Sequence, residues 1–174
     1  MTAMNPPDAS GRAFVFGDRI DTDVLAPGGL MKLAPDALAR HCLKAIRPDF
    51  PETVRLGDFI VAGEGFGIGS SREQAAVSLH LLGVRAVLAK SFARIFYRNA
   101  FNLGLPALVF PQADEVSDGD RLSLDLAAGR LRNDTQDRAY RLSPVPGHLQ
   151  DMAAAGGLLA QLRQRFAVRG LDEA

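Results

Sequence analysis

Four alternating glycines, Gly63, Gly65, Gly67 and Gly69, run directly into Ser70-Ser71-Arg72-Glu73. Glycines let backbone approach a ligand closely and adopt positive φ. Two hydroxyls and a guanidinium delivered to a helix start suit a carboxylate. The arginine fork matches its two oxygens, and the free N–H groups and dipole of a helix N-terminus favour negative charge. A phosphate is the obvious rival, and its fingerprints fail. G-x-G-x-x-G would need glycine at Ile68 or at Ser70, and no Asp or Glu lies between Glu73 and Asp114 to hold a ribose. No lysine follows the glycines as a P-loop requires. Ser70-x-x-Glu73 also reads as a capping box, in which the two side chains satisfy backbone N–H groups reciprocally. Spacing leaves both readings open, although capping does not account for the glycines.

A second polar group lies upstream. Asp21-Thr22-Asp23 precedes the turn Pro27-Gly28-Gly29, and Asp21 can serve simply to stabilise its own turn. After that turn, Leu30 and Met31 can line an apolar surface or pack beneath the loop, and Lys32 can face solvent or a third carboxylate. Arg85, Lys90, Arg94 and Arg98 fall in the acid-free stretch 74–113, as a solvated face or as a local positive field. His41 and Cys42 are adjacent on an expected helix and point apart, so they read as structural; His80 reads as a helix-face residue and His148 as an element end. Asp134 to Arg138 reads as a solvated loop.

The elements that must position these groups follow from pattern. Residues 12–16 make a short strand. Pro35 opens an expected helix with Leu38, Cys42 and Ile46 at four-residue spacing, ending before Pro48. Residues 58–62 read as a buried strand. A helix from Ser70 ends at Gly83, a strand spans 84–89, and a helix capped by Ser91 ends at Gly104. A third apolar strand covers 107–110. Two consecutive βα units imply a parallel sheet covered by helices. Residues 121–126 alternate polar and apolar, with a hairpin turn at Ala128-Gly129 and short strands near 131–132 and 140–142. The end reads as helix from His148 to about Phe166, broken at Gly156-Gly157. The expected fold class is α/β, a parallel α/β half with a flanking antiparallel β portion. It forms one domain over 12–168, with tails at 1–11 and 169–174.

Composition narrows the function. The chain has 174 residues, 47% of them hydrophobic, which suits one soluble domain. Twenty basic and twenty acidic residues balance, so neither general nucleic-acid binding nor polybasic membrane adsorption is expected. No apolar stretch is long enough for a transmembrane helix, and the first eleven residues lack the apolar core of a signal peptide. A single cysteine, Cys42, permits neither an internal disulfide nor a cysteine-rich metal site. The cytoplasm is the expected compartment.

Gly67-Ile68-Gly69-Ser70-Ser71-Arg72-Glu73, followed by Ser91-Phe92-Ala93-Arg94-Ile95-Phe96-Tyr97-Arg98-Asn99, resembles the swivel domain of the aconitase superfamily. Asp21-Thr22-Asp23 near Pro27-Gly28 fits the same pattern. The likeness runs from about Phe14 to Arg163, and the length is similar to that of free-standing small subunits in two-subunit isopropylmalate hydro-lyases. The resemblance implies a swivelling β/β/α domain closing over a large subunit that carries a [4Fe–4S] cluster on three cysteines. No cofactor is expected in this chain. It also implies a catalytic base at Ser70, substrate-carboxylate binding at Ser71 and Arg72, and a place for Asp23 in the catalytic hydrogen-bond network. The substrate would be a hydroxy-di- or tricarboxylate. The cluster would act as a Lewis acid on the hydroxyl while Ser70 removes the proton beside a carboxylate and Arg72 steadies the charge.

The chain departs from the family at three positions. Ile68 stands where small subunits often have Cys, Gln74 follows GSSRE where His is common, and Val24 replaces the aconitase His. These argue against aconitase itself. The expected role is a hydro-lyase small subunit in leucine biosynthesis. The alternatives are a homoaconitase-like or dimethylmalate dehydratase subunit, and a non-catalytic carboxylate-binding module. The loop Leu30-Met31-Lys32 lies where relatives choose among substrate side groups, and its apolar pair favours a small alkyl substituent.

Overall fold

The computed structural model describes residues 9–171, so most of the expected tails, residues 1–8 and 172–174, lie outside it. Within it, β1 (Gly11–Val15) is followed by α1 (Thr22–Leu25), a 3-10 turn (Gly28–Leu30), α2 (Pro35–Ala39) and α3 (Phe50–Thr53). Then come β2 (Phe59–Ala62), α4 (Glu73–Leu81), β3 (Ala86–Ala89), α5 (Arg94–Asn102) and β4 (Ala107–Val109). The remainder is β5 (Arg121–Asp125), β6 (Arg130–Asn133), β7 (Arg138–Arg141), α6 (Gly147–Ala155) and α7 (Leu158–Leu171).

One seven-stranded sheet runs in the order β4-β3-β2-β1-β5-β6-β7. The first four strands are parallel, and β5, β6 and β7 join antiparallel beyond β1. Every residue of β2 and β3 is buried, as parallel strands covered on both faces must be. In β5 and β6 buried and more open positions alternate, so one face meets solvent. This is the mixed α/β arrangement expected. The core is aromatic-rich: Phe14, Phe59, Phe66, Phe101 and Phe110 are fully buried. The apolar runs of β2, β3 and β4 thus put the loops at their C-terminal ends on a rigid base.

The helix expected from Pro35 to Pro48 stops at Ala39. Leu43 takes positive φ, 59°, and sends its N–H to the Val24 carbonyl at 2.9 Å instead of back along a helix. His41 and Cys42 bond only three residues back, to Leu38 and Ala39. Full burial of Cys42 and Leu43 beneath α1 outweighs the four-residue periodicity. The C-terminal break is as expected, with Gly156 left-handed between α6 and α7. No helix among the described residues is long and apolar enough to cross a membrane.

Candidate functional site

The glycine loop between β2 and α4 is strapped to the segment after β1. Ile20 accepts from the Gly67 N–H at 2.7 Å, and Thr22 donates its N–H to the Ile68 carbonyl at 2.8 Å. The buried Thr22 hydroxyl then donates to the Ser70 carbonyl at 2.9 Å. These bonds pin residues 67–70 to that segment. Gly65, Gly67 and Gly69 all take positive φ. At Gly67 there is also no room: an added Cβ would lie 2.3 Å from Phe96. The ring of Phe96 packs edge-on against Phe66, which fixes α5 against the loop.

This strapping overturns the capping box. α4 begins at Glu73 with Arg72 extended as its N-cap and no side-chain cap bond, so Ser70 and Ser71 precede the helix. Both serines are exposed, and neither hydroxyl has a hydrogen bond within the described residues. Ser91 does not cap α5 either. Its hydroxyl accepts from the Gly65 N–H at 2.8 Å and donates to the Glu64 carboxylate at 3.0 Å, bracing the loop from the far side.

Arg72 reaches back across the strap. Its Nη1 donates to the Asp23 carboxylate at 2.6 Å and to the Ala26 carbonyl at 3.0 Å. The Gly28 N–H donates to the same Asp23 oxygen at 2.9 Å. The Arg72 hydrogen bond, followed by that of Gly28, holds the Asp23 carboxyl below its usual range. Asp21 accepts from the N–H groups of Asp23 and Val24, so it does stabilise its own turn. Asp23 is therefore the anion that Arg72 already holds.

Ser70 and Arg72 line a cleft of about 190 Å³ together with Thr22, Gly67, Gly69 and residues 93–96. Ser71 is exposed and does not line it. Leu30 and Met31 also stand off the cleft, packed half-buried against the core, and Lys32 is exposed. Larger depressions lie between β6 and the segment after β7 and between α6 and α7, away from all these groups. The structure thus unites Ser70, Arg72 and Asp23, whereas Leu30, Met31 and Lys32 do not line the cleft. Spacing does not reveal two further contributors. Thr22 sits inconspicuously between two acidic residues, and Ile95 shows only as one letter of the SFARIFYRN motif.

The basic stretch is not one face. Arg85 donates to the Leu124 carbonyl at 2.9 Å and Lys90 pairs with Asp114, leaving Arg94 and Arg98 exposed on α5. Cys42 is wholly buried and desolvation pushes its thiol far up, which does not suit a cluster ligand. Among the described residues no three His, Cys, Asp or Glu side chains converge.

Residues 52–113 match the family of the aconitase C-terminal domain. The chain is 47% identical over 151 residues to the 3-isopropylmalate dehydratase small subunit of Nautilia profundicola, covering 86% of this chain and 91% of that one. It is 45% identical over 159 residues to 3-isopropylmalate dehydratase small subunit 1 of Archaeoglobus fulgidus, covering 89% and 99%. A crystal structure of 3-isopropylmalate dehydratase from Methanocaldococcus jannaschii superposes with a TM-score of 0.88 at 42% identity, over 94% of this chain and 98% of that one.

Proposed function

The chain belongs to the family of 3-isopropylmalate dehydratase small subunits, and from that premise we propose that it is the small subunit of a hydro-lyase isomerising isopropylmalate in leucine biosynthesis. We further propose that it works in the cytoplasm and closes over a large subunit carrying a [4Fe–4S] cluster. The observation carrying the site assignment is that Ser70 and Arg72 line one cleft, with Arg72 oriented by Asp23.

In this reading Arg72 takes a substrate carboxylate with the part of its fork that Asp23 and Ala26 leave open. Ser71, exposed beside it, adds a hydroxyl donor. Ser70 receives the proton from the carbon next to that carboxylate, and the electron pair left behind forms the double bond as the neighbouring hydroxyl departs. Water then adds back in the opposite sense to give the isomer. Lewis-acid help to the departing hydroxyl belongs to the partner, since this chain's only cysteine is sealed in the core. Open to solvent, Ser70 is a poor base. Closure against the partner must supply the dry, donor-rich surroundings that favour its alkoxide. Leu30, Met31 and Lys32 follow the Gly28 turn directly, and their proposed place is at the outer edge of the substrate site.

The test is reconstitution with a cluster-bearing large subunit, following the ultraviolet absorbance of the unsaturated intermediate. Isopropylmalate should be consumed by the pair and by neither subunit alone. Turnover of homocitrate in preference to isopropylmalate would favour the homoaconitase-like reading. Tight carboxylate binding with no turnover would favour a binding module.

A further inference from the structure

We infer that Ile95 determines which alkyl branch the site accepts; this rests on the function proposed above. The cleft is lined by two unlike sets of residues. Ser70 and Arg72 supply hydroxyl and guanidinium, which serve the proton and a carboxylate. The rest of the side-chain lining comes from residues 93–96 at the start of α5, and only one of these is both apolar and free. Phe96 is 2% exposed and committed to Phe66 and the Gly67 backbone. Arg94 is charged, and Ala93 is short and half-buried. Ile95 is 50% exposed.

That exposure is informative by location. Other large apolar side chains are exposed among the described residues, including Leu33, Leu56 and Leu81, but none of them lines this cleft. Ile95 is not used by the core, so its surface is available to a ligand. β-Branching in a helix leaves one strongly preferred χ1 rotamer, so the side chain is a preset apolar knob that loses little freedom when a ligand meets it. A branched alkyl substituent next to a carboxylate held by Arg72 would meet it within the same cleft. Leu30 and Met31, the apolar pair singled out by sequence, pack half-buried against the core and do not line this cleft, which leaves them its outer edge.

The experiment compares Ile95→Ala with wild type in the reconstituted two-subunit enzyme, measuring kcat and KM for isopropylmalate and for a methyl-substituted malate. Removing the apolar surface that meets one branch changes discrimination on the order of 10–100-fold. The ratio of kcat/KM for isopropyl over methyl substrate should fall by that amount, mostly through KM for isopropylmalate. Effects on folding or assembly cancel in this ratio. Equal losses for both substrates, accompanied by weaker subunit association, would make Ile95 an interface residue and overturn the inference. So would an unchanged ratio in Ile95→Ala with a shifted one in Leu30→Ala or Met31→Ala. Failure of the underlying reading is separately visible: the wild-type pair would then turn over neither substrate, or Ser70→Ala would leave kcat intact.

Discussion

The buried hydroxyl of Thr22 donates to the backbone carbonyl of Ser70 at 2.9 Å, across 48 positions of chain. The next residue, Asp23, holds Arg72. Two consecutive residues on the segment after β1 therefore fix both ends of Ser70-Ser71-Arg72, so the separation of proposed base and proposed carboxylate anchor is set by α1. Thr22→Val keeps the shape and removes the donor, costing about 1–2 kcal/mol of stability. Turnover of the reconstituted enzyme should fall roughly 10–10²-fold, as small misplacements of reacting groups do. Thr22→Ser should restore most of it. Unfolding midpoints and kcat for the pair of variants check this, and full activity in Thr22→Val would remove Thr22 from the positioning machinery.

Ser70→Ala separates chemistry from structure more cleanly than the capping-box reading would allow. Because Ser70 lies before the helix and is exposed, its loss should change stability by no more than about 0.5 kcal/mol. A cap would have cost about 1 kcal/mol. The kcat of the reconstituted enzyme should fall on the order of 10²–10⁴-fold while substrate still binds. Denaturant melts and steady-state kinetics on the same preparation read both quantities.

Two groups predict acid sensitivity in different windows. Burial lowers the pKa of His80 on α4. The unfolded chain then takes up that proton more readily, so stability is full above the ordinary histidine value of 6.5 and declines as pH falls from there toward the lowered pKa. Asp23 is also lowered, but from 3.8, so its contribution is present above that value and is lost only as pH falls below it. Unfolding midpoints measured from pH 8 to 3 should show His80→Gln flattening the slope just below neutrality. Asp23→Asn should change the profile only at its acid end. A His80→Gln curve parallel to wild type through pH 7–5 would contradict the assignment.

What is legible in the sequence is the frame. Short unbroken apolar runs at 59–62 and 86–89, bounded by turn residues, read as strands buried on both faces, and Gly83 and Gly104 end the intervening helices with positive φ. The site is legible by motif and not by spacing. Nothing local to Ser70 announces that Thr22 holds its carbonyl, and that long-range strap is what keeps residues 70 and 71 out of the helix their S-x-x-E pattern suggests. Leu43 misleads for the same reason. A bond to Val24, distant in sequence, pulls it to positive φ and ends the helix that periodicity extends. Where tertiary hydrogen bonds compete with local propensity, a single sequence shows only the propensity.

Glycine substitutions near the cleft should divide sharply. Gly67→Ala places Cβ 2.3 Å from Phe96 in a residue with φ of 82°, so both the packing and the backbone are strained. The left-handed conformation alone costs about 1–2 kcal/mol for a residue with a side chain, and the clash adds to it. Gly29→Ala meets nothing within 4 Å and should be neutral within about 0.5 kcal/mol. Thermal melts of the two variants check the contrast.

Gly28→Ala tests the carboxylate anchor without replacing a charged residue. An added Cβ would lie 2.9 Å from Arg72 Nη2 and 3.2 Å from Asp23 Oδ1. Gly28 is exposed and its φ lies outside the left-handed region, so neither burial nor backbone strain penalises alanine. Relief must come from the side chains. Arg72 is tied to Asp23 and to the Ala26 carbonyl, so it can yield to the methyl only by loosening one of those bonds. The exposed ion pair contributes little to stability, and melting should therefore hardly change. Orientation of the fork is what suffers, because bidentate recognition needs both nitrogens in place. KM for isopropylmalate should rise roughly tenfold, with a smaller change in kcat, since the anchor acts on bound substrate and transition state alike. Arg72→Lys should raise KM further and make the Gly28 substitution nearly silent, the non-additivity expected of two residues acting through one guanidinium. Equal KM effects of Gly28→Ala in the wild-type and Arg72→Lys backgrounds would show that Gly28 acts on the substrate by another route.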